Sequence, residues 1–385
     1  MSVEVRPVRG VRELRSFVEL PYRLHANEPQ WVPPLRLERY LHLGRRTNAF
    51  FRRGEAEYLL AYRNGRVVGR ISAHIDYRFC EFHRNRWGMF GFLELEDDVE
   101  VARALLDAAA GWLRARGREA MVGPMDFTLN DEGGILVEGF DREPLVRQPW
   151  HPPYYARLLE ELGFEKAMDL LSWELRIEER QKVRPIIWRV AEQLEPRYGV
   201  RIRPMSRRTL WRDLRAFGDI YNQAWRRNWG FVPYDEHDLR QLWFELQLTF
   251  DRDWFMLAES REGEPVGVAI TVPDVNRVLR RMNGRLLPFG FVHYLRRRRL
   301  CDRVRVGFLG VKPAWQHTGV AAGLYAALYR SSERTGIGRG EASWILETNS
   351  SMNRALDALG GRVVKRWRVY RRVLAGGGGL DGSPS

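Results

Sequence analysis

Apolar positions along the 385-residue chain come in short runs of strand length separated by amphipathic stretches of helix length. Val3–Val8 alternates and reads as a short strand, followed by a helix near Val11–Leu20 and an irregular segment that holds Asn27 and Trp31–Pro34. Glu57–Arg63 and Arg66–Asp76 are strand runs joined at Asn64-Gly65, a pair that accepts the positive φ of a two-residue hairpin turn. A strand near Trp87–Leu95, an amphipathic helix over Val99–Arg116 and a strand at Ala120–Pro124 come next. A helix over Tyr154–Leu162 is closed by Gly163, and a strand near Ala167–Glu174 ends the series.

The series then recurs. Val200–Met205 repeats Val3–Val8 at an offset of 197, Phe255–Ala258 repeats Tyr58–Ala61 at 197, and Gly360 repeats Gly163 at 197. Val266-Gly267 follows Val68-Gly69 at 198, and Phe231–Pro233 follows Trp31–Pro33 at 200. A near-constant offset over so many features predicts a duplicated domain: a first copy over 1–175, a connector over 176–199 and a second copy over 200–374. The connector contains a helix from Pro185 to Leu194, and the Gly-rich tail 375–385 reads as disordered.

Chemistry concentrates in Val304–Tyr329. Val304, Val306, Phe308 and Leu309 make a buried strand that stops before Pro313, and a helix runs from Val320 to about Arg334. Between them Gln316, Gly319 and Ala321 form a small-residue turn into the helix. The first N–H groups of a helix lack intrahelical partners and the macrodipole favours negative charge there, so this turn predicts an anion site. The overall charge agrees: 63 Lys and Arg against 49 Asp and Glu give +14, which predicts an anionic partner such as a phosphorylated small molecule, an anionic lipid surface or nucleic acid. Two cysteines, Cys80 and Cys301, show neither metal-ligand spacing nor a disulfide framework, which fits a reducing compartment. The first residues lack a signal peptide's apolar core, and no run approaches the roughly 18 apolar residues of a membrane span. The expected location is the cytoplasm.

The spacing Gln316-x-x-Gly319-x-Ala321 after a Val-x-Pro strand end resembles the pyrophosphate loop of the GNAT superfamily of acyl-CoA-dependent N-acyltransferases. Each half also follows the GNAT element order, so the chain resembles a tandem-GNAT protein over nearly its full length. The resemblance implies an α/β fold with a mixed sheet in two GNAT-like domains, with acetyl-CoA or a longer acyl-CoA as cosubstrate and an amine as acceptor. It places CoA against Leu309, Val311, Gln316, His317, Thr318, Gly319, Val320 and Ala321, with Asn349 and Asn353 on the CoA arm. The N-terminal half lacks the Gln-x-x-Gly-x-Ala spacing and has Glu94–Asp98 at the matching turn, so its copy is expected to hold no CoA. An amine must lose a proton before it attacks, and Glu347, at the end of the strand Ala342–Glu347, is the leading candidate base. Its alternative reading is a carboxylate paired with one of the many Arg side chains. The family often has a Tyr acid four residues before the helix-closing Gly; here that residue is Leu356, and Tyr294, Tyr325 or Tyr329 would have to substitute. Asn222, Asn228, Trp229 and Phe231, in the segment that covers the acceptor in this fold, are candidate acceptor contacts; aromatic residues at such spacing also build cores.

The C-terminal half carries an insertion, 273–303, where the other half needs only Asp76 to about Trp87. Within 278–300, Leu286, Leu287, Phe289, Phe291, Val292 and Leu295 lie between Arg280, Arg281, Arg285 and Arg296–Arg299. Apolar and aromatic side chains bracketed by Arg suit a peripheral seat on an anionic membrane, here its inner face; the alternative is a lid over the protein's own cleft. With this insertion and Asn228–Pro233, the chain resembles the bacterial ceramide synthases, which implies N-acylation of a long-chain amine. Two other readings stay open. One is an aminoacyl-tRNA-dependent transferase of the Fem type, against which the intact pyrophosphate loop argues. The other is a non-catalytic binding module, kept open by Leu356. Sequence-specific nucleic-acid recognition finds no supporting motif.

Overall fold

A computed structural model describes residues 2–374 apart from 177, 178, 180 and 182; the tail 375–385, read above as disordered, lies outside the described residues. The N-terminal half runs β1 (Glu4–Pro7), α1 (Val11–Leu24), α2 (Arg36–Leu43), β2 (Gly54–Arg63), β3 (Arg66–Asp76), α3 (Tyr77–His83), β4 (Trp87–Leu95), α4 (Val99–Arg114), β5 (Ala120–Gly123), β6 (Ile135–Glu138), α5 (Tyr154–Glu161) and β7 (Glu165–Arg176). A connector helix, α6 (Pro185–Tyr198), leads into the second half. That half comprises β8 (Arg201–Pro204), α7 (Leu210–Ala224), α8 (Glu236–Thr249), β9 (Phe255–Glu259), β10 (Pro265–Pro273), α9 (Asn276–Met282), α10 (Gly290–Leu295), α11 (Arg297–Leu300), β11 (Arg303–Val311), α12 (Val320–Thr335), β12 (Arg339–Leu346), α13 (Ser350–Ala358) and β13 (Arg362–Val373).

The predicted strands and long helices sit where periodicity placed them. Asn64 and Gly65 take φ of 53° and 74°, the positive values that a two-residue hairpin turn with the strands' own twist requires. α2, α3, α8, β6 and the insertion's α9–α11 are additional; all but α8 are too short to impose a period on the sequence. The repeat also hides two length changes that cancel. The insertion between β10 and β11 is matched by a long β5–α5 loop, residues 124–153, in the N-terminal half, where β12 and α13 are joined by only 347–349. The offset therefore returns to 197 at β7 and β13.

The described residues form one 13-stranded sheet in the order β1-β2-β3-β4-β5-β13-β7-β12-β11-β10-β9-β8, with β6 on β13. The two halves exchange their last strands. β7 lies between β13 and β12, and β13 lies between β5 and β7, all antiparallel contacts. The exchange is sealed by large side chains without exposed surface, Trp367 and Tyr370, and by Arg366 and Arg368 of β13 on the buried Asp169 of β7. It is also tied by a buried charge set. Lys365 of β13, 1% exposed, donates to Glu341 of β12 at 2.9 Å, and Ser172 of β7 donates to the same carboxylate at 2.6 Å. Lys365→Met would leave Glu341 charged and unpaired in the interior, so it is expected to cost about 3–5 kcal/mol in denaturant unfolding. Lys365→Met combined with Glu341→Leu is expected to recover most of that loss, because no charge is then stranded.

Candidate active site

The second half opens its sheet at one place. β11 and β12 pair in parallel only from Arg303–Val306 against Arg339–Ala342. Beyond that point β11 bulges at Gly307, where its register on β10 slips between Ile270 and Thr271. β12 breaks register between Ala342 and Ile345 and continues along β7 instead. The β12-facing backbone of Phe308–Val311 is left without a strand partner, a row of N–H and C=O groups available to an extended ligand.

β11 leads through Pro313–Trp315 to the N-terminus of α12. Gly319 is the N-cap at φ 90°, no side chain caps the helix, and its first turn has no acidic residue. A Cβ on Gly319 would lie 2.3 Å from Val190 Cγ1 on α6, so both the backbone angle and the connector helix demand glycine there. The open first-turn N–H groups of Val320 and Ala321 and the uncapped dipole suit a pyrophosphate. The N-terminal half differs at both features. Asp98 caps α4 by accepting from the Glu100 and Val101 N–H groups at 2.9 and 3.2 Å. Its strands do not stay open either: Met125 N–H donates to Phe90 O at 2.8 Å, and a Cβ on Gly91 would meet the Met125 carbonyl at 1.9 Å. The chain leaving β5 fills the space that stays open beside β11.

Each candidate side chain has a definite place. Leu309 and Val311 are buried in β11, His317 is exposed, and Thr318 Oγ1 donates to Trp315 O at 2.7 Å. Gln316 turns back, its Nε2 donating to Val311 O at 3.3 Å, so it braces the loop. Asn349 caps α13, accepting from Met352 N–H at 3.1 Å. Asn353 donates to Leu346 O at 3.1 Å and accepts from Trp173 Nε1 at 2.9 Å, holding the end of β12 to β7. Glu347 receives Lys166 Nζ at 2.7 Å and the Asp169 N–H at 3.1 Å. Leu356 is fully buried in the core. Tyr325 Oη meets Met352 Sδ at 3.0 Å, and burial raises its pKa, while Tyr329 packs edge-on to Trp188. Tyr294 belongs to the insertion's own small core, under the Arg297 guanidinium.

The α7–α8 segment divides between the two halves. Asn222 pins it by accepting from Tyr234 N–H at 2.8 Å and donating to Tyr234 O at 2.9 Å. Asn228 closes the turn through its N–H on Trp225 O and its carbonyl under Phe231 N–H. Trp229 packs on the N-terminal half's core, and Phe231 is buried between Phe82 and Tyr221. Trp225 lies against Gly310 of β11.

Periodicity left one contributor unmarked: the long loop 124–153. Its Asn130 Nδ2 donates to Tyr221 Oη at 2.8 Å, and Leu129 packs on Gly230. Val146 O accepts from Arg305 of β11 at 2.7 Å, and Gln148 Nε2 donates to Ser343 of β12 at 2.8 Å. The loop thus reaches across the sheet to the point where β11 and β12 part. The signal available was the cluster Asp126, Asp131, Glu132 and Arg147 in a long segment between strands, but nothing local tells which half such a loop serves.

No family model matches the chain. A curated relative from Caulobacter vibrioides named bacterial ceramide synthase is 36% identical over 380 residues, covering 97% of this chain and 98% of that protein. The chain belongs to the bacterial ceramide synthase family. Protein YghO of Escherichia coli is 32% identical over 385 residues, with 96% and 95% covered. A solved tandem GNAT protein from the clavulanic acid biosynthesis pathway superposes with a TM-score of 0.57 at 13% identity, over 98% of this chain and all of that one. A GNAT structure from Sphaerobacter thermophilus gives 0.53 at 13%, over 99% and 98%. At that identity these two speak for the fold: a mixed α/β tandem GNAT. Membership in the family makes the protein an acyl-CoA-dependent N-acyltransferase acting on an amine. Among the described residues no helix is long and apolar enough to cross a membrane.

Proposed function

We propose that the protein transfers a long acyl chain from acyl-CoA to the primary amine of a long-chain amino alcohol held at an anionic membrane surface. In this reading the first-turn N–H groups of α12, from Gly319 to Ala321, hold the pyrophosphate. The free edge of Leu309–Val311 carries the thioester arm and supplies an N–H to the tetrahedral oxyanion. The N-terminal half, with its capped α4 and filled strands, holds no CoA.

The insertion carries the lipid part of the proposal. Its underside is fixed: Val278, Met282 and Cys301 pack with Leu35 and Val146, and Gly284 O accepts from Arg36 N–H at 3.1 Å. Its outer face leaves Leu287, Phe289 and Leu295 at 71%, 75% and 69% exposure, with Leu286 and Phe291 beside them. Exposed Arg281, Arg285, Arg296 and Arg299 surround these side chains and form no ion pair among the described residues. A clustered apolar face of this size ringed by free cations suits lipid headgroups and the acyl boundary below them. A relative named a ceramide synthase over its whole length supports a lipidic acceptor.

The test is turnover. Incubation with palmitoyl-CoA or acetyl-CoA and sphinganine in phosphatidylglycerol vesicles is expected to yield the N-palmitoyl amide by mass spectrometry, faster than the acetyl amide. Transfer from acetyl-CoA alone, or to soluble amines in preference to sphinganine, would reject the lipid reading.

A further inference from the structure

Resting on the acyl-transfer reading above, we propose that Asp131, carried by the N-terminal half, is the base that takes a proton from the acceptor's ammonium group at the C-terminal half's thioester site. Two anchored neighbours locate it. Asn130, next in the chain, is bonded to Tyr221 Oη at 2.8 Å, and the Tyr221 ring meets Phe308, the first residue of β11 beyond the bulge, at 6.0 Å between centroids. Arg147, whose guanidinium lies 3.6 Å from Asp131 Oδ1, sits between Val146 and Gln148, which are tied to Arg305 and Ser343 at the fork of the strands. These two anchors carry the Asp131 carboxylate toward the free strand edge on which the acyl-transfer reading lays the thioester arm.

Its state of engagement fits the role. Thr128 donates to Oδ2 at 2.8 Å, and the Arg147 contact is longer than a direct hydrogen bond, so acceptor capacity remains on both oxygens. The side chain is 19% exposed, open enough for a ligand to reach. Glu347, by contrast, has a donor on each oxygen. The charges facing Asp131 are Arg147 from its own loop, Glu245 from α8 and Arg53 beyond them, with Tyr234 neutral nearby. Burial, opposed by Arg147 and reinforced by Glu245, lifts the carboxyl to about 7, the range in which a base works at neutral pH.

The step balances as follows. The Asp131 carboxylate takes one proton from the acceptor's ammonium, leaving a neutral amine. Its lone pair forms the C–N bond at the thioester carbonyl, and the carbonyl electrons move to the oxyanion. Collapse breaks the C–S bond, CoA leaves as thiolate, and the proton lost from the new amide nitrogen is matched by the one the thiolate takes up. Asp131 returns its proton to solvent.

The experiment uses the full chain with palmitoyl-CoA and sphinganine. Asp131→Asn is expected to lower kcat by about 100-fold or more while the calorimetric Kd for palmitoyl-CoA stays within about twofold. Glu245→Gln removes a negative neighbour, so Asp131 should ionise at lower pH. The acid limb of kcat/KM is expected to move down, while the acceptor's own ionisation is common to both profiles. An Asp131→Asn enzyme within about threefold of wild type, or an acid limb that Glu245→Gln leaves in place, overturns the proposal. Should Asp131→Asn fail to fold by thermal melting, the Glu245→Gln profile decides alone. If the wild-type protein binds no acyl-CoA, it is the acyl-transfer reading that fails, before the identity of the base is reached.

Discussion

Gly319→Glu is expected to abolish acyl-CoA binding, raising the Kd for palmitoyl-CoA by more than about 100-fold, or roughly 2.7 kcal/mol, in calorimetric titration. Three effects add. The glutamate brings a carboxylate to the uncapped N-terminus of α12, where it competes for the N–H groups that would hold the pyrophosphate. It forces an L side chain to φ 90°, at about 1–3 kcal/mol. Its Cβ also displaces Val190 and with it the seat of α6 on the loop. Charge and shape can be separated. Gly319→Ala combined with Val190→Ala relieves the clash without adding charge, and it is expected to keep measurable binding at reduced stability. Loss of binding in that pair as well would assign the effect to the backbone angle, and retention of full affinity in Gly319→Glu would remove this loop from the CoA site.

Leu287→Asp, Phe289→Asp and Leu295→Asp together are expected to release the protein from phosphatidylglycerol vesicles without lowering its melting temperature. All three side chains are largely exposed, so the folded chain loses little packing. In a membrane each buried side chain is worth about 1.5–3 kcal/mol, so even partial insertion of three implies a drop in vesicle partitioning of about 1,000-fold or more. Wild-type binding should weaken on neutral phosphatidylcholine vesicles and at high salt, because the arginine share is screened. Equal sedimentation of wild type and the triple variant with vesicles would show that the insertion does not meet the lipid.

Much of the fold was legible because hydrophobic period is a local property. The Asn64-Gly65 hairpin, the strand that stops before Pro313 and the helix that opens at Gly319 each need only neighbours in sequence to exist, and all three stand where patterning put them. The turn into α12 was legible for the same reason: glycine at a helix N-cap and small residues in the first turn leave a chemical mark within six positions. Acceptor-side residues carried no such mark. Asn222, a candidate acceptor contact, and Asn353, a candidate on the CoA arm, were named by family resemblance, yet their amides brace the chain, which only the folded backbone reveals.

The sequence by itself determined the duplication, the order of the main strands and helices within each half and the position of the glycine turn into α12, because turn chemistry and apolar period act over a few residues. Tertiary structure decided the rest. Where β7 and β13 lie in the sheet depends on pairing between residues about 200 apart. It also decided that loop 124–153, encoded in the half with filled strands, ends beside the open strands of the other half, since a loop's destination follows from packing at its far end and leaves no period in the chain.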